Sequence, residues 1–192
     1  MTALPRPGRL LTIAEYARLD EDDQHRWELQ EGIMVMSPGA TPLHMRASGR
    51  LFHLIESQLP ANLCVFQEVD IDLELVPADQ PGWSRRPDLV VVEQAEFDRV
   101  NRDGGLLRAS QIRLVVEIIS PGSRRLDQVI KRGEYADAKI PHYWIVDVDP
   151  PRVSLVVCHL AGEFGYQDGG SVTGEFTTTE PFPVRVNLDR LA

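Results

Sequence analysis

The chain has 192 residues, 43% of them hydrophobic and 26% charged, which suits one domain with a single sheet-centred core. No apolar stretch is long enough to span a bilayer, and the N-terminus lacks the apolar run and small-residue cleavage site of a signal peptide. A net charge of −9 argues against a broadly basic nucleic-acid binder, so nucleic acid would need a local basic patch or bound cations.

In chain order, residues 1–10 read as a loose tail of the single domain, 1–192. Thr12 with Glu15 fits a capping box that starts a short helix through about Leu19. RWELQEGIMVMSP predicts a hairpin turning at Gln30-Glu31-Gly32. Thr41-Pro42 is an N-cap followed by a first-turn proline, and Leu51, Leu54, Ile55 and Leu59 continue that helix as an apolar stripe. LCVFQEVDIDLELV alternates, with Val65, Val69, Ile71, Leu73 and Leu75 on one parity and Glu68, Asp70, Asp72 and Glu74 on the other. That pattern predicts one half-buried antiparallel strand with a wet acidic face. A turn-rich PADQPGWSRRP leads to a strand around 88–92, and residues 93–111 form a polar loop or small helical insertion. A strand at 113–119 follows, then a helix over SRRLDQVIKRGEYADAKI that Ser123 could cap, then the buried strand HYWIVDV. Residues 151–192 read as short strands between Gly and Pro turns. The order predicts an α/β (α+β) fold with a mixed central sheet flanked by helices. Cys64 and Cys158 lack any CxxC or ligand-like spacing, and reduced thiols in a cytoplasmic protein are expected.

Two carboxylates stand out. Asp88, in RRPDLVVV, stands just before the run Leu89–Val92, and Glu117, in LVVEIIS, closes the run Leu114-Val115-Val116. A charge on a buried strand is costly unless it is neutralised, paired or bound to a metal, so two on neighbouring strands point to a divalent-cation site. Hard cations such as Mg²⁺ take oxygen ligands and often use only one or two protein carboxylates. Lys131, on the following helix, supplies a positive group for a phosphate. No Gly-x-Ser-x-Gly elbow, phosphate-binding P-loop or zinc ligand set is present.

Pro87-Asp88 with Glu117 on the next strand resembles the PD-(D/E)XK nuclease superfamily. WELQEGIMVMSP, RRPDLVVV, VVEIISPGSRR, the Asp127/Lys131 pair, Tyr135 and IPHYWIVD resemble, more narrowly, the Uma-type family of bacterial restriction-endonuclease-like proteins, over about residues 10–190. The resemblance implies a restriction-endonuclease-like core and Mg²⁺ or Mn²⁺ held by Asp88, Glu117 and the backbone carbonyl of Ile118. It also implies auxiliary site roles for Glu28 and His44, and DNA as substrate, with RNA as an open alternative. Two positions depart from the pattern. The superfamily's lysine two residues beyond the strand glutamate is Ile119 here, a place Lys131 could fill from the helix. The family's acidic residue after the hairpin glycine is Ile33.

Each candidate also has a plainer reading. Asp88 could be a hydrogen-bonded strand-start residue, Glu117 a partner of Arg124 or Arg125, and Lys131 an i,i+4 partner of Asp127. Glu28 could be a solvated hairpin acid and His44 a capping or surface residue. Tyr135, Tyr143 and Trp144 read as packing residues. Arg85-Arg86 and Arg124-Arg125 are candidate phosphate contacts that also suit a solvated surface. The leading expectation is a metal-dependent endonuclease, for which a homodimer would suit double-strand cleavage. The main rival is a noncatalytic binding module on the nuclease architecture, favoured by the acidic charge and the missing strand lysine. A glycosidase is the third possibility.

Overall fold

In the computed structural model, which describes residues 9–19, 26–37, 39–119, 126–149 and 151–192, Thr12 caps α1 (Ile13–Tyr16) through the expected reciprocal bonds with Glu15. The hairpin forms as β1 (Trp27–Gln30) and β2 (Ile33–Met36). Its turn residues Glu31 and Gly32 take φ of 50° and 74°, the doubly positive geometry that matches the strands' twist. Gly32 is required twice over, since a Cβ there would also lie 2.9 Å from Leu10, Leu11 and Pro81. Thr41 caps α2 (Pro42–Glu56) and accepts from the His44 N–H at 3.2 Å. The buried stripe of α2 is Ala47, Leu51 and Ile55.

The alternating segment is not one strand. It divides into β3 (Leu63–Gln67) and β4 (Ile71–Asp72), which join different sheets. Glu68 between them adopts φ 54°, which turns the chain out of the extended path. Nor is the acidic row simply solvated. Glu68 pairs with Arg26, Asp70 holds Arg86 at 2.9 and 2.6 Å, and Asp72 accepts the Glu74 N–H at 2.9 Å. The turn-rich stretch hides β5 (Ser84–Arg85). β6 (Leu89–Glu93) follows, and residues 94–103 take the helical alternative as α3 (Gln94–Asp103). Next come β7 (Leu107–Arg108) and β8 (Ile112–Ile119). Within the described residues the predicted helix runs as π-helical turns over Leu126–Lys131 and then as the regular α4 (Arg132–Asp137); its expected cap, Ser123, lies outside the described residues. β9 (His142–Asp147), β10 (Ser154–Leu160), β11 (Tyr166–Thr173), β12 (Glu175–Thr178) and β13 (Val184–Asn187) complete the chain.

The main sheet runs β11-β10-β9-β8-β6-β3, antiparallel except for the parallel β8/β9 pair, so it is mixed as expected. A second sheet runs β2-β1-β5-β4-β7, and β12-β13 form a ribbon. Strand parity divides the core. Val91, Leu114, Val116 and Ile118 face Leu51, Ile55, Val186 and Leu188. Val90, Val92, Val115 and Ile119 face Ile71, Tyr135, Ile140 and Tyr143. Among the described residues no helix is long and apolar enough to cross a membrane.

Glu96 ties α3 to β7. Its buried carboxylate receives Arg99 at 2.8 and 2.9 Å, and the Arg108 main chain and guanidinium at 2.6 to 3.2 Å. Burial alone would raise its pKa, but these arginine hydrogen bonds outweigh it and lower the carboxyl from 4.5 to about 2. A depressed acid stabilises the fold above its unfolded value, and that stability drains as pH falls from about 4.5 to about 2. With Arg108 well exposed, we expect on the order of 2 kcal/mol from this group. Glu96→Gln should therefore flatten the loss of thermal stability across that acid range and lower stability at neutral pH.

Candidate active site

The β6/β8 register pairs Leu89 with Val116, so one further step sets Asp88 opposite Glu117. Asp88 shares the parity of Val90 and Val92, and Glu117 that of Val115 and Ile119. Both carboxylates therefore leave the same face of the sheet at its margin, where Glu117 meets Lys131 and Tyr135 and Asp88 meets His44 of α2. Both are buried. Asp88 Oδ2 accepts from the Ile118 N–H at 2.6 Å, and Oδ1 lies 2.8 Å from His44 Nε2. The cap at Thr41 fixes the first turn of α2 and so aims the imidazole. Burial works against the imidazolium, but the hydrogen bond and charge of Asp88 prevail, and the His44 pKa is raised.

Lys131 ends the π-helical turns. Its Nζ lies 2.9 Å from Glu117 Oε1, 3.3 Å from Glu28 Oε1 and 3.6 Å from Asp127 Oδ1. Burial opposes the ammonium, yet these three acids raise its pKa and keep it cationic. The wider π turn places a helix lysine over the strand end, where an aliphatic Ile119 leaves the usual lysine position without a charge. Tyr135 Oη donates to the same Glu117 Oε1 at 2.7 Å, so the described donors converge on one oxygen. Burial raises the Glu117 pKa well above the ordinary range; Lys131 opposes this, while Asp88 and Asp127 add to it.

Glu28 is buried behind the site. Its Oε2 takes Arg85 Nη1 at 2.9 Å, and its Oε1 takes the Arg86 N–H at 3.1 Å. Burial raises its pKa, but Lys131, Arg85 and the Arg86 N–H outweigh that and lower it. The residue holds Lys131 and does not line the cavity. The cavity measures about 60 Å³, space for several waters, and Arg26, His44, Arg86, Asp88, Glu117, Asp127 and Lys131 supply its titratable walls.

Arg85 corrects the expectation of a phosphate contact. It is 1% exposed, and Glu134 grips its guanidinium at 2.5 and 2.6 Å while Glu28 takes the third donor. Arg86 does reach the cavity, although Asp70 holds it in a two-pronged pair. Arg124 and Arg125 lie outside the described residues. Three further residues enter the site. Asp127 is a buried cavity wall, Tyr135 binds Glu117 in addition to packing, and Glu134 anchors Arg85. Asp127 and Tyr135 stand in the motif strings, but nothing in the sequence marks Glu134. Among the described residues no set of three His, Cys, Asp or Glu side chains is arranged to hold a metal ion.

Residues 13–187 match the model of the family described as "Uma2: Putative restriction endonuclease". The chain belongs to this family. A solved structure of similar fold is that of a "putative nuclease belonging to DUF820" from Anabaena variabilis. It superposes with a TM-score of 0.65 at 16% sequence identity, covering 94% of this chain and 97% of that one. No protein of curated function matches the chain. The Uma2 match spans every described site residue, from Glu28 to Tyr135. At 16% identity the solved neighbour shows the shared fold alone.

Proposed function

We propose that this chain is a nuclease that hydrolyses DNA phosphodiesters with Mg²⁺ or Mn²⁺ held by Asp88, Glu117 and the backbone carbonyl of Ile118. The observation that carries the proposal is the pair of buried carboxylates on one face of adjacent strands, with an ammonium 2.9 Å from one of them. Family membership supports the same chemistry.

The donor set fits a hard cation. Each Asp88 oxygen has a lone pair beyond its one described bond, and no described donor reaches Glu117 Oε2. A strand residue directs its N–H and C=O to the same flank, so Ile118, whose N–H reaches Asp88, turns its carbonyl to that side too. Two carboxylates and a carbonyl leave positions for water and phosphate, as Mg²⁺ requires. A bound divalent cation would supply a water of lowered pKa and offset negative charge on the attacked phosphate. The side chains do the rest. His44 orients Asp88 and Tyr135 orients Glu117. Lys131, braced by Glu28 and Asp127, presents positive charge to the phosphate, and Arg86 extends that charge along the cavity wall.

A second reading, a noncatalytic binding module, draws on the absence of a three-ligand cluster among the described residues and on the net charge of −9. Nicking of supercoiled plasmid separates the two. The nuclease converts plasmid to open circles with Mg²⁺ or Mn²⁺ and not with a chelator. Lys131→Met lowers kcat about 10²-fold or more, as loss of an electrostatic stabiliser does, with little change in KM. A wild-type protein that binds duplex but leaves it intact in both metals is the binding module.

A further inference from the structure

A second concavity, a groove of about 810 Å³, runs along the outward face of α2. Met45, Arg46, Arg50 and His53 form one wall, and Asp189 and Arg190 stand on the other. Arg50 Nη1 donates to the carbonyls of Arg190 and Ala192 at 2.7 and 2.8 Å, which fixes the second wall against the helix. Three arginines thus face one acidic side chain, Asp189, on a chain whose net charge is −9. Arg46 and Arg190 are exposed, and among the described residues no acid pairs with either. The groove and the candidate site are linked through α2. His44 lines the cavity and Met45 the groove, while Arg26, another cavity wall, reaches Met45 Sδ at 3.7 Å. From Met45 to Ser57 the helix rises about 18 Å, the span of roughly five phosphates on one duplex strand.

We infer that this groove binds the sugar–phosphate backbone of the nucleic acid flanking the scissile bond, through Arg46, Arg50 and Arg190. The inference rests on the nuclease reading and extends it to a surface that never touches the reacting phosphate. The same contacts would offset the overall acidity, because phosphate affinity depends on local arginines and not on net charge.

The test uses the full chain with Arg46→Glu/Arg190→Glu, and Arg46→Gln as a milder companion. Fluorescence anisotropy with a short DNA duplex is measured across a salt series, alongside turnover of bis(p-nitrophenyl) phosphate, a diester too small to reach the groove. The double variant should bind duplex at least about tenfold more weakly, with the slope of log affinity against log salt reduced by about 2. Small-diester turnover and melting temperature should stay at wild-type values. Should the double variant misfold, Arg46→Gln should still reduce the slope by about 1. Unchanged affinity and salt slope in the folded variants, or no duplex binding by the wild type, overturns the groove. Absence of plasmid nicking by the wild type in Mg²⁺ and Mn²⁺, with the binding difference intact, defeats the nuclease reading and leaves the groove standing.

Discussion

Asp88→Asn should reduce metal-dependent plasmid nicking by about 10³-fold or more, with the fold intact. The magnitude follows from losing several kcal/mol of cation-borne stabilisation at about 1.4 kcal/mol per tenfold in rate. Asparagine keeps the shape and can still accept from the Ile118 N–H and bond the His44 ring, so neither the β6/β8 margin nor α2 loses its anchor. What disappears is one of the two anionic ligands proposed for the cation. Nicking rates read with Mg²⁺ and Mn²⁺, beside melting curves, check the prediction. Undiminished cleavage by a folded Asp88→Asn protein would remove Asp88 from the mechanism.

The largest stability effect belongs to Arg85. Arg85→Met leaves the carboxylates of Glu28 and Glu134 buried without their shared cation, and breaking such a network from one side costs about 3–5 kcal/mol. For a domain of this size that is a fall in Tm of roughly 10 °C. The damage should reach the site, because Arg85 joins β1, which carries Glu28, to α4, which carries Glu134 and Tyr135. Replacing both sides with apolar residues, Arg85→Met with Glu134→Leu, should recover part of the loss, since no charge then stays stranded on α4. Thermal denaturation of the single and double variants measures both effects. A single variant as stable as wild type, or a double variant worse than the single, contradicts the proposed clamp.

Much of this was legible in the chain. The valine-rich runs announced buried strands, and the charge each one carries drew attention to Asp88 and Glu117. That both share the parity of Val90, Val92, Val115 and Ile119 emerged only from the strand register. Thr12, Thr41 and the Glu31-Gly32 turn announced themselves because caps and tight turns depend on local chemistry. Features created by distant contacts were hidden. β5 has two residues, too few for a period, and Glu68 breaks a perfect alternation with one positive φ. An Arg-Arg pair before a strand looks solvated until Glu28 and Glu134, 57 and 49 residues away, enclose the first of them. The π turn under Lys131 has no composition signature. The family resemblance, more than the pattern of residues, singled out His44, and the structure sets it 2.8 Å from Asp88.

The most direct test is a crystal structure of the wild-type protein soaked in Mn²⁺, with anomalous differences collected near the manganese edge. One peak should lie at coordination distance, about 2.2 Å, from carboxylate oxygens of both Asp88 and Glu117, with the Lys131 ammonium beside the open positions. An empty site at a manganese concentration that supports nicking, or a peak bound by other residues, would contradict the account.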